Sequence, residues 1–318
     1  MSVTEPIPDA ADVAVLLMAY GTPRHPDEIE AYYTDIRRGR PPTPEALADL
    51  VARYAAIGGV SPLARLTEAQ RDALQTALDE LAPGRFSVAL GLKHADPKVE
   101  ATAAELAAGG AATIVGLVLA PHYSSYSIGQ YLERARAGVD ASGSSARVVG
   151  IESWATEPAF VSFLAADLAD RVRSMRAQVD GRVLVLFTAH SLPERIIAAG
   201  DPYPDELRAT AEAVAAAVGL SEHTEWQLAW QSAGRTPEPW IGPDILEVIG
   251  GLDDDVGGVI VCACGFVADH LEVLFDLDIE AAGRADARGV RFDRTACVND
   301  DATVMAALAR RVVDAAGP

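Results

Sequence analysis

The chain has 318 residues, half of them apolar, with 26 Lys and Arg against 46 Asp and Glu for a formal net charge of −20. This length suggests about two domains of roughly 150 residues, with enough apolar content for large buried cores. The negative excess opposes binding to nucleic acid or to an anionic membrane.

The opening segment 1–10 is acidic, holds two prolines and lacks both a basic n-region and an apolar h-region. No secretory leader is expected there, and the cytoplasm is the expected location. Beyond it, short β-branched apolar runs alternate with longer Ala- and Leu-rich segments. Strands are predicted at 13–19, 87–92, 113–120, 147–151, 182–188, 224–230 and 257–264. Helices are predicted at 44–55, 67–81, 97–108, 158–175, 205–217 and 301–315. The most apolar stretch, 106–120, is broken by Gly109, Gly110, Thr113 and Gly116, and it falls short of the roughly 20 apolar residues of a spanning helix. Strand–helix alternation implies an α/β fold with parallel sheets, and runs nearly continuous in Val, Leu and Ile imply sheets covered on both faces. The Gly- and Ser-rich segment 137–146 is the expected waist between two similar lobes, 10–148 and 149–318, with the last helix placed to pack back on the first lobe.

Ligands of open α/β sheets bind beyond the carboxyl ends of the strands. Four of the predicted runs end in polar or aromatic segments: Tyr20 after the first, His122 to Tyr126 after the third, His190 to Glu194 after the fifth, and Asp269 to Glu272 after the last. Together they imply a shared cleft. If Asp269 caps a helix, Glu272, Asp276 and Glu280 fall at i, i+4 and i+8 on one stripe. Leu271, Phe275 and Ile279 flank the stripe on one side, with Val273 and Leu277 on the other. A solvated face would be wider and would include Lys or Arg. Carboxylates in an apolar frame suit a divalent-cation path, and both readings stay open. His190, at a strand end ahead of Pro193, is either a satisfied structural residue or a ligand; with a carboxylate it suits Fe²⁺.

In this acidic chain Arg37, Arg38, Arg40 and Arg53 stand out, and the planar fork of arginine suits carboxylates. Some of them would simply pair with surface acids. Cys262 and Cys264 read as small buried hydrophobes on one strand face. With Cys297 they make three cysteines, whereas an iron–sulfur cluster normally takes four ligands, so no [2Fe–2S] cluster is expected. The chain contains neither G-x-x-x-x-G-K-[ST] nor G-x-G-x-x-G, and neither G-x-S-x-G nor H-E-x-x-H. His270-x-Glu272 lacks the P-C-x-x-C of a deaminase.

Eight segments, in order through nearly the whole chain, resemble the ferrochelatase family, above all its coproporphyrin-using bacterial branch. They are MAYGTP (18–23), YYTDIRRGR (32–40), RYAAIGGVSPL (53–63), GLKHADP (91–97), LAPHYSSYS (119–127), TAHSLPE (188–194), WQSAGRTPEPWIGPD (230–244) and GFVADHLEVLFDLD (265–278). The resemblance implies two Rossmann-like lobes around a porphyrin cleft, with most porphyrin contacts in the first lobe and the metal ligands in the second. It implies that His190 and Glu272 hold the inserted iron and act in catalysis. Asp276 and Glu280 match an outer metal position. Tyr20 matches a tyrosine on the opposite porphyrin face, and Arg37, Arg53, Ser61 and Tyr131 match positions that line the porphyrin or hold its propionates. Many Ala- and Arg-rich relatives carry a cluster on an internal cysteine and a C-terminal extension with three more; this chain ends at Pro318 without those cysteines. The expected activity is Fe²⁺ insertion into coproporphyrin III, with porphyrin and Fe²⁺ as substrates and no resident cofactor. The expected enzyme is a monomer making at most transient contacts with neighbouring haem-pathway enzymes. The rival readings are a chelatase for protoporphyrin IX or Co²⁺, and a carrier that binds tetrapyrrole without catalysis.

Overall fold

The computed structural model describes residues 13–221, 225–234 and 236–317. The 1–10 segment, Thr224 of the sixth predicted strand and Arg235 lie outside these. Among the described residues, eight strands form two sheets. The first comprises β1 (Val13–Ala19), β2 (Phe86–Leu92), β3 (Thr113–Val118) and β4 (Arg147–Ile151); the second comprises β5 (Arg182–His190), β6 (Trp226–Gln231), β7 (Val256–Cys262) and β8 (Arg291–Arg294). The α-helices among the described residues are α1 (Ile29–Ile36), α2 (Pro44–Ala56), α3 (Leu63–Leu81), α4 (Val99–Ala108), α5 (Gln130–Ser142), α6 (Pro158–Arg176), α7 (Glu194–Ala198), α8 (Tyr203–Val218), α9 (Ile245–Gly250), α10 (Leu271–Leu274), α11 (Ala282–Asp286) and α12 (Ala302–Ala316).

All pairings within the sheets are parallel, and the strand orders are β2-β1-β3-β4 and β6-β5-β7-β8. The second order is the first shifted by four strands, so each lobe repeats the other's topology. In each sheet the first strand, β1 or β5, lies where the winding reverses, the position beyond whose carboxyl end ligands of such sheets bind. Tyr20 directly follows β1, and His190 is the last residue of β5.

The lobes share one core. A single apolar cluster contains Val15, Leu17 and Val115 of the first sheet together with Val185, Phe187 and Ile260 of the second. Two smaller clusters cover the outer faces. The chain exchanges helices to build this arrangement. After β4, α6 crosses to pack on β5, β7 and α8, while α12 returns to α3, β3 and β4. Asp301 caps α12 by accepting from the amides of Thr303 and Val304, and Val304, Met305, Leu308 and Val312 form its buried stripe.

The structure differs from the sequence expectation in three places. The 137–146 segment is the end of α5 and its turn into β4, because α5 buries Tyr131, Leu132, Ala135 and Val139 despite its glycines. The crossing between lobes follows Ile151 instead. β8 was not predicted; it is four residues long and carries three charges. The helix expected after Asp269 breaks into α10, a π-turn at Asp276–Ala281, and α11. Its N-cap is His270, because the Asp269 carboxylate is engaged by Arg294 and Asn299.

Gly138 brings α5 against α4: a Cβ there would stand 2.2 Å from the Glu100 carbonyl oxygen. Gly138→Ala should therefore force the helices apart and lower stability by roughly 1–3 kcal/mol in urea unfolding. An unchanged midpoint would mean that the contact relaxes freely.

Candidate functional site

The site is built around Glu272 at the start of α10. Its Oε1 lies 3.6 Å from His190 Nε2, and its Oε2 lies 3.5 Å from His270 Nε2. Both imidazoles are oriented through their other nitrogen: His190 Nδ1 donates to the Ser191 carbonyl, and His270 Nδ1 donates to the Ala268 carbonyl at 2.9 Å. A carbonyl can only accept, so Nδ1 carries the proton in each ring. In the neutral form each Nε2 then presents a lone pair toward the same carboxylate. Two ligands on one tetrahedral ion, each about 2.0–2.1 Å from it, stand about 3.3–3.4 Å apart. The observed separations are close to that figure. Gln231 Nε2 donates to the Glu272 carbonyl at 2.7 Å and ties the end of β6 to this helix.

Burial alone would push His190 down, but the Glu272 carboxylate, the Ser191 carbonyl and Asp276 outweigh it and lift the imidazole to about 9. Burial would push Glu272 up, yet His190 and His270 hold it well below the usual carboxylate range. Asp276 is lifted to about 6, first by burial and then by the charge of Glu272, against the pull of Ser232 and Arg53.

The π-turn sets the outer carboxylates. The Glu280 amide bonds to the Phe275 carbonyl at 3.0 Å, five residues back, and this extra residue breaks the strict i+4 stripe. Asp276 is buried, while Glu280 remains partly exposed. Arg294 grips Asp278 through two hydrogen bonds of 2.6 and 3.0 Å, and Leu277 and Ala281 are buried in the core; these contacts anchor the widened turn. Among the described residues, no group of three or more His, Cys, Asp or Glu is arranged to hold a metal ion.

The first lobe supplies the opposite wall. Tyr20 is 43% exposed, and its ring lies 4.6 Å from that of His94. His94 donates from Nδ1 to Asp35 at 2.7 Å and is pushed down to about 4 by burial, so its ring is neutral. Although much of its ring is open, desolvation around the hydroxyl raises the Tyr20 phenol, and the next contribution is the charge of Glu272. Tyr54, pushed to about 12 by burial, also feels Glu272. The two lobes therefore face each other electrostatically across this site.

The other predicted residues are dispersed. Arg53, on α2, reaches Asp49 at 3.3 Å, Asp276 at 3.5 Å and Glu280 at 3.9 Å, and its guanidinium stacks on Phe275. It bridges the lobes. Arg37 ends α1 and donates from Nε to the Arg40 carbonyl at 3.3 Å. Ser61 is buried, and its Oγ accepts from the Leu63 amide at the start of α3. Tyr131 is buried in α5, its ring beneath the Lys93 ammonium. Sequence reading missed His270, His94 and Ser232 as parts of the site. For His270 the signal was present, since it lies two residues before Glu272. A separate cavity of about 390 Å³ beside α9, lined by Arg182, Gln227 and Glu247 among others, contains none of these groups.

Comparison with known proteins shows which family the chain resembles. The family model Ferrochelatase matches residues 12–316. A ferrochelatase of Herpetosiphon aurantiacus is 41% identical over 293 residues, 92% of this chain and 95% of that protein. A coproporphyrin III ferrochelatase of Geobacillus thermodenitrificans is 43% identical over 304 residues, 95% of each chain. The solved structure of SirB from Bacillus subtilis with Fe³⁺ superposes with a TM-score of 0.55 at 12% identity, covering 96% of both chains. At that identity it supports the shared two-lobed fold alone.

The raised His190 makes stability pH-dependent. A group whose folded value lies above its unfolded one contributes stability fully present below the unfolded value, near pH 6.5 here, and lost as pH rises through about 9. Unfolding free energy should fall across that window, and His190→Ala should flatten the decline. An identical slope in the variant would show that His190 is not lifted.

Proposed function

The chain belongs to the ferrochelatase family, and we propose that it inserts Fe²⁺ into coproporphyrin III to give Fe-coproporphyrin III (coproheme) in haem biosynthesis. The observation that carries this reading is the Glu272 carboxylate beside an Nδ1-anchored His190, opposite Tyr20.

Insertion requires stripping water from Fe²⁺, exposing pyrrole nitrogens and removing two pyrrole protons. His190 is lifted to about 9 and holds a proton at neutral pH, so taking up iron through Nε2 releases that proton. Glu272, ionised beside His190, offers an oxygen to the iron and accepts one pyrrole proton; the second goes to His190 once its own proton has left, the role that is the alternative to metal donation for this imidazole. Asp276, poised near 6, either relays protons outward or passes iron inward with Glu280. Tyr20 faces the macrocycle from the other side, and the cleft would hold the ring saddled so that its nitrogen lone pairs point at the metal. Arg37, Arg53, Ser61 and Tyr131 are assigned to the porphyrin side.

Coproporphyrin carries four propionates where protoporphyrin carries two. The cluster Arg37, Arg38, Arg40 and Arg53 in a chain of charge −20 favours the more acidic substrate. The three free cysteines are buried, Cys262 and Cys264 in one core cluster and Cys297 in another, and do not fit a [2Fe–2S] site. We further propose a cytoplasmic monomer with transient pathway contacts at most. Among the described residues no helix is long and apolar enough to cross a membrane.

An anaerobic assay following porphyrin absorbance after Fe²⁺ addition tests the activity and separates it from carriage. His190→Ala and Glu272→Gln should each lower kcat by roughly 10²-fold or more while porphyrin still binds; near-normal turnover removes that residue from the mechanism. Coproporphyrin III should give the higher kcat/KM, and a higher value for protoporphyrin IX overturns the substrate assignment. Asp276→Asn and Glu280→Gln should impair turnover most at low Fe²⁺, with partial rescue at high Fe²⁺. Equal loss at all concentrations would contradict a role in iron supply.

A further inference from the structure

Arg53 has two competing uses in this fold. As a porphyrin-side residue it would hold a propionate. In this structure its guanidinium already faces three carboxylates. Asp49 lies one turn back on α2, and Asp276 and Glu280 lie across the cleft on the π-turn. All three of its nitrogens already face a carboxylate, so a propionate that takes the fork in bidentate fashion displaces at least one of the two π-turn acids.

The details make the conflict specific. Ser232 Oγ donates to Asp276 Oδ2, which leaves Oδ1 as the oxygen open to a cation. Oδ1 is the atom that faces Arg53 NH1, at 3.5 Å. A divalent ion on Asp276 and Glu280 would stand beside a guanidinium that is itself only 25% exposed and stacked on Phe275, where solvent screening is weak. Asp49 gives the guanidinium a partner on its own lobe, so it has a place to retreat to.

We propose that Arg53 is a resident counter-cation that keeps divalent metal off Asp276 and Glu280 until a porphyrin carboxylate draws it away, so that porphyrin binding opens the outer carboxylates to iron. This rests on the functional reading above. Such coupling is reciprocal: porphyrin tightens metal binding by the same factor as metal tightens porphyrin binding.

The test uses Mn²⁺, read as loss of the free-ion EPR signal, with Zn-coproporphyrin III as a porphyrin that cannot accept a second metal. The wild-type chain should bind Mn²⁺ weakly alone and about tenfold more tightly with the porphyrin bound. Asp276→Asn should abolish that gain, which excludes Mn²⁺ bound to the propionates themselves. Arg53→Gln should bind Mn²⁺ tightly with or without porphyrin, and Arg53→Lys should stay weak without it. No gain in the wild type, no tightening in Arg53→Gln, or a gain that persists in Arg53→Gln overturns the proposal. Absence of a Soret shift with Zn-coproporphyrin III would instead sink the functional reading, while the porphyrin-free Arg53→Gln measurement still decides whether Arg53 shields the acids.

Discussion

A carboxylate drawn into a protein cleft must find polar partners, and Glu272 sits between two imidazoles. Much of the site follows from that arrangement. Its charge lifts His190, helps lift Asp276 and reaches Tyr20 and Tyr54 on the other lobe. The imidazoles hold their position because each spends its Nδ1 proton on a backbone carbonyl at the carboxyl end of a strand or just ahead of α10. An incoming divalent ion takes over the role of the protons shared between these groups, so the site is already organised to exchange protons for metal.

The fold provides the setting through repetition. Two sheets with the same strand order place their first strands at equivalent reversal points, and the residues that leave those strands, Tyr20 and His190, come to opposite sides of one cleft. The exchanged helices α6 and α12 and the shared apolar core hold the lobes together. Arg53 adds a polar contact across the cleft mouth, where a substrate rich in carboxylates can compete for it.

The sequence was most legible where burial is regular. β1 and β4 matched their apolar runs to the residue, whereas His190, at a strand end, and Glu272, first of a stripe of acids in an apolar frame, each kept a structural reading beside the functional one. β8 was hidden because Arg291, Asp293 and Arg294 disguise a short edge strand. α5 was hidden because Gly138 and the glycine and serines near its end look like a linker, although Gly138 is there for close helix contact. The π-turn could not be read from a 3.6-residue period, since it depends on Arg294, sixteen residues beyond Asp278 in sequence, gripping that carboxylate. His270 and His94 were passed over for a related reason: their roles come from what they face, Glu272 and Tyr20, rather than from a motif of their own.

The central claim is that the metal meets the macrocycle between Tyr20 on one lobe and the His190–Glu272 pair on the other. An anaerobic crystal structure of the chain with metal-free coproporphyrin III bound tests it most directly. The account predicts the ring in the cleft, with the Tyr20 phenol over one face, His190 Nε2 and Glu272 over the other, and Arg53 turned from Asp276 toward a propionate. A porphyrin seated outside the cleft, or with Tyr20 and His190 on the same face, would contradict it.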